Sequence, residues 1–71
     1  MENTVEFQFP SEMTAYRFLN TVKHLDADGL KVKFGRNDHH VMVKYRYVVG
    51  EFDRTLSTLD DVARELGGEE V

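Results

Sequence analysis

Val5, Phe7 and Phe9 alternate with Glu6 and Gln8, the period of a strand with one wet face. Pro10 has no N–H to give to a ladder and ends it. Ser11 then stands as a helix N-cap with Glu12 in the first turn. Behind it, Ala15, Phe18, Leu19, Val22 and Leu25 fall along one helical face. Asp26-Ala27-Asp28-Gly29 stops this helix. Leu30, Val32 and Phe34 alternate with Lys31 and Lys33 in a second strand, and Gly35-Arg36-Asn37-Asp38 has hairpin chemistry. The third strand is the longest. Val41, Val43, Tyr45, Tyr47 and Val49 take one face, and His40, Met42, Lys44, Arg46 and Val48 take the other, before Gly50 closes it. Phe52, Leu56, Leu59, Val62, Ala63 and Leu66 recur at helical spacing, with Asp53 as one candidate cap and Gly67-Gly68 as the stop.

The order is β-α-β-β-α, an α+β two-layer sandwich. A strand-helix-strand crossover leaves room for one strand between its two strands, and the hairpin sets strand three beside strand two. The sheet is therefore expected to be three-stranded and antiparallel in the order 1-3-2, with both helices on the face bearing the Val, Phe and Tyr set. Residues 1–71 read as one domain, with an ordered core over about 4–67 and a tail at 68–71 expected to fray. In that topology strand one lies at the margin, so residues 5–9 offer an open edge for a partner protein or a second copy.

Composition narrows the setting. There is no cysteine, which excludes disulfides, zinc-thiolate sites and thiol chemistry and favours a reducing, cytoplasmic compartment. Neither a spanning helix nor a signal peptide is expected, so no membrane role is required. The net charge of −4 conceals a split: residues 1–48 carry seven basic side chains against six acids, and residues 49–71 carry two against seven. Lys31, Lys33, Lys44 and Arg46 all fall in the outward phase of the sheet, so an acidic chain is expected to display a basic plate. These four are the candidate binding residues. Sheet-based nucleic-acid readers stack bases on exposed aromatics, yet the phenylalanines and tyrosines of these strands fall in the inward phase.

His39 and His40 at the end of the hairpin are the candidates for acid–base chemistry, with Asp38 placed to orient a ring. Adjacent strand residues point to opposite faces, so the pair does not close on one ion, and no metal or cofactor is expected. Phe7-x-Phe9, followed by Ala15, Tyr16, Phe18, Leu19 and Val22 and later by the His-His pair, resembles the pterin-4a-carbinolamine dehydratases. That resemblance implies a strand-helix-strand-strand-helix core, association through sheet edges, and a part for His39 and His40 in the loss of water from a pterin.

Three functions follow in order of weight. The first is a non-catalytic interaction module that binds protein or itself through the edge strand or the basic face. The second is a nucleic-acid-associated regulator that uses the same face, and the third is a dehydratase-like enzyme.

Overall fold

A computed structural model describes residues 1–71. It contains β1 (Glu2–Gln8), α1 (Glu12–Val22), β2 (Lys31–Phe34), β3 (His40–Arg46), α2 (Thr55–Glu65) and β4 (Glu69–Glu70). The sheet order is β2-β3-β1-β4, with every pairing antiparallel. The α+β fold and the central position of β3 agree with the sequence, whereas the sheet has four strands in place of three.

The core lies between the sheet and the two helices. Phe18 of α1 packs its ring against Phe7 of β1 and against Phe9 just beyond it, with centroids 5.2 and 4.8 Å apart. Val5 of β1, Ala15 and Val22 of α1, Val41, Val43 and Tyr45 of β3, and Leu59 and Ala63 of α2 complete it. The one buried phenol is satisfied, since Tyr45 Oη accepts from Asn3 Nδ2 at 2.9 Å. Ser11 starts α1 with a capping box: Thr14 N–H donates to Ser11 Oγ at 3.1 Å, and Ser11 N–H donates to Thr14 Oγ1 at 3.3 Å.

Three expectations need correction. The tail at 68–71 does not fray. Gly67, at φ +77, and Gly68 donate to the carbonyls of Arg64 and Ala63, the paired bonds of a Schellman stop, and this reversal feeds Glu69–Glu70 alongside β1. Glu70 faces Phe7, Glu69 faces Gln8, and Val71 N–H donates to the Glu6 carbonyl at 3.0 Å. Gly68 is required at its position because a Cβ there would run into the Phe9 ring. The chain's own tail thus lies along Glu6–Gln8, within the edge expected to be open at residues 5–9.

The third strand is also shorter than its alternation suggests. Gly29, at φ +64, breaks the chain before β2, and the β1 ladder reaches only Glu2↔Arg46, followed by two bonds between Met1 and Tyr47, whose N–H donates to the Met1 carbonyl and whose carbonyl accepts from the Met1 amino group. With no neighbours left, Val48 and Val49 leave the sheet and are exposed. Phe52 is 89% exposed and takes no part in the core. Asp53 Oδ1 accepts from both Thr55 N–H (2.9 Å) and Thr55 Oγ1 (2.6 Å), which sets the start of α2 at Thr55 and leaves Phe52 outside it.

Candidate functional site

The helices cover one face of the sheet and leave the other bare. Its outward positions are Glu2, Thr4, Glu6 and Gln8 on β1, Lys31 and Lys33 on β2, and His40, Met42, Lys44 and Arg46 on β3. No Phe, Tyr or Trp is among them. The face divides into two unlike halves.

At the hairpin end, the β2–β3 turn folds back over the sheet. His40 is buried, and its Nδ1 lies 2.6 Å from Glu6 Oε2. An ionised carboxylate only accepts, so Nδ1 carries the hydrogen. Arg36 Nε donates to the same oxygen at 3.2 Å. Partial burial by itself would raise the Glu6 carboxyl. The hydrogen bond from His40 and the positive charge of Arg36 outweigh it, and the group lies below the ordinary carboxylate value. Gly35 makes this closure feasible: a Cβ there would stand 2.9 Å from Glu6 Oε2 and 3.1 Å from the His40 Cβ.

At the other end, Lys31 and Lys44 are directly opposite across the β2–β3 ladder, and Lys33 is opposite Met42. Thr4, Val32 and these four side chains line a groove. Lys44 Nζ reaches Glu2 Oε1 at 3.3 Å in a half-exposed ion pair. Arg46 extends away toward Asp28, 4.0 Å distant, and lies over Gly29. Neither Lys31 nor Lys33 has a carboxylate within 4.0 Å.

The structure therefore brings Lys31, Lys33 and Lys44 together and draws Arg46 off to the β2 entry loop. The two histidines do not converge. His39 is exposed beside Asp38, 3.4 Å from it, while His40 is committed to Glu6 under the turn. The Glu6–His40–Arg36 cluster went unforeseen, although its signal is in the chain: Glu6 and His40 share the outward phase, and the β1–β3 register makes them diagonal neighbours. A second feature, on the helix side, was also unforeseen. Met13 and Tyr16 of α1 stand exposed beside Phe34 at the end of β2 and form a groove with Ser11 and Glu12.

No group of histidine and carboxylate side chains is arranged to hold a metal ion, and no helix is long and apolar enough to cross a membrane. No protein-family model, curated protein or solved structure matches this chain.

Proposed function

We propose that this chain is a non-catalytic interaction module whose bare sheet face binds an acidic segment of another protein through Lys31, Lys33 and Lys44. The observation that carries this reading is the direct opposition of Lys31 and Lys44, with Lys33 beside them and no carboxylate on two of the three. Like charges opposite one another across a ladder destabilise a sheet, and a bound carboxylate relieves that cost. The absence of any Phe, Tyr or Trp on this face favours an acidic peptide over nucleic acid, since bases would find no stacking platform. The lack of cysteine fits a reducing, cytoplasmic setting.

The test is a calorimetric titration with an acetylated, amidated peptide of alternating Glu and Val, beside a single-stranded oligonucleotide of equal charge. Binding of the peptide, weakened by salt and abolished by the double variant Lys31→Glu, Lys33→Glu, is the expected result. Undiminished binding to that variant, or tighter binding of the oligonucleotide, would overturn it.

A further inference from the structure

β2 is one margin of the sheet, four residues long and free on its outer side, and its two faces differ in a way that specifies what pairs with it. Gly35 N–H donates to the His40 carbonyl at 2.8 Å, in register with the β2–β3 ladder. Hydrogen-bonded pairs alternate along an antiparallel ladder, so Lys33 and Lys31 also direct their backbone groups to β3. Val32 and Phe34 then direct theirs outward, where no strand lies. The side chains alternate in the same period: Lys31 and Lys33 on the bare face, Val32 and Phe34 on the helix face. Beside Phe34 on that second face is the groove formed with Met13 and Tyr16.

We infer that the acidic segment docks as an added antiparallel strand along Lys31–Phe34, with acidic and apolar residues in alternation. This rests on the proposed acidic-segment function and deepens it. The carboxylates of the added strand stand next to Lys31 and Lys33 on one face, and its apolar side chains enter the Met13–Tyr16–Phe34 groove on the other. Backbone pairing supplies attachment and the two pockets supply selection. A second copy of this chain is the wrong occupant, because antiparallel pairing of two β2 strands would set lysine against lysine.

The experiment uses two N-methylated forms of the Glu–Val peptide. Methyl groups on the valine nitrogens block the N–H groups that face Val32 and Phe34, whereas those on the glutamate nitrogens project away from the edge. The valine-methylated peptide is expected to bind roughly tenfold more weakly than the parent, and the glutamate-methylated one nearly as well. Phe34→Ala weakens binding of the parent peptide, and the Val32 and Phe34 amides exchange more slowly in the complex. Equal binding of both methylated peptides with unchanged exchange at Val32 and Phe34 overturns strand addition. If Lys33→Glu still abolishes binding in that case, the acidic-segment reading stands without it. No binding of the parent peptide overturns both. Sedimentation as a dimer that the peptide dissociates overturns the inference in favour of a second copy.

Discussion

At the hairpin end of the bare face, a carboxylate and a buried imidazole meet under a folded-back turn, and the exposed guanidinium of that turn donates to the same carboxylate. A few residues along the same strands, Lys31 and Lys44 face each other across the ladder, and of the three lysines there only Lys44 has a carboxylate beside it. The two halves use the same residue classes in the same outward phase. They differ in how many of their charges find a complement inside the chain: all at the hairpin end, and only Lys44, through Glu2, among the three lysines. A charge met from within stabilises the fold, and His40, buried against Glu6, serves packing. A charge left unmet contributes nothing to the isolated fold, or costs a little, and stays available to something else.

The largest effect expected from breaking this contrast comes from Gly35→Val. Its side chain would collide with Glu6 and His40, and the carboxylate can retreat only by giving up both its bonds. Urea unfolding should show a loss of about 1–3 kcal/mol. A variant as stable as the parent would mean that the turn does not seal this half.

The histidine pair provides the next separation. His40→Ala takes the shorter of its two hydrogen bonds from Glu6, leaves only that from Arg36, and opens a void under the turn, so it should lower the urea midpoint clearly, while His39→Ala should stay within about 0.5 kcal/mol of the parent. Equal effects would erase the distinction between the two rings.

Acid sharpens the same contrast. The Glu6 carboxyl sits below its ordinary value of 4.5 in the fold, so as pH falls the unfolded chain takes up the proton first. Its contribution is complete above that value and disappears as pH drops through the folded one. Asp53, held low by the Thr55 hydroxyl and backbone N–H, acts in the same direction. Glu6→Gln should therefore flatten the stability profile below pH 4.5. An unaltered acid limb would remove Glu6 from the account.

The smallest effect lies in the open half. Lys31→Glu replaces a repulsive cross-strand pair with an attractive one and should raise stability by about 0.2–1 kcal/mol while abolishing peptide binding. A destabilised variant would show that these lysines support the fold.

The helices, the central strand and the basic phase were legible because each rests on local periodicity. Ser11, Phe18, Val43 and Gly67 hold the places their spacing assigns. What was illegible depended on distant partners. Val48 and Val49 alternate like strand residues, yet a strand continues only while a neighbour pairs with it, and theirs stop at Arg46 and Tyr47. Phe52 fits a helical period, but Asp53 fixes the helix start beyond it. Glu69–Glu70 looks like polar tail, and only the Schellman reversal together with the room left by Gly68 brings it to β1. The site followed the same rule. The lysines shared a phase, but the withdrawal of Arg46 and the burial of His40 awaited the register.

The pairing of β4 with β1 also bears on how the chain matures. Chains emerge from the ribosome N-terminus first, and contacts between distant segments are slow to form. Phe7 and Gln8 therefore wait with an unpaired flank until Glu69 and Glu70 have been synthesised and α2 has closed on its two glycines. A nascent chain stalled short of Gly67 would present that flank, closed in the finished fold, to its neighbours on a polysome.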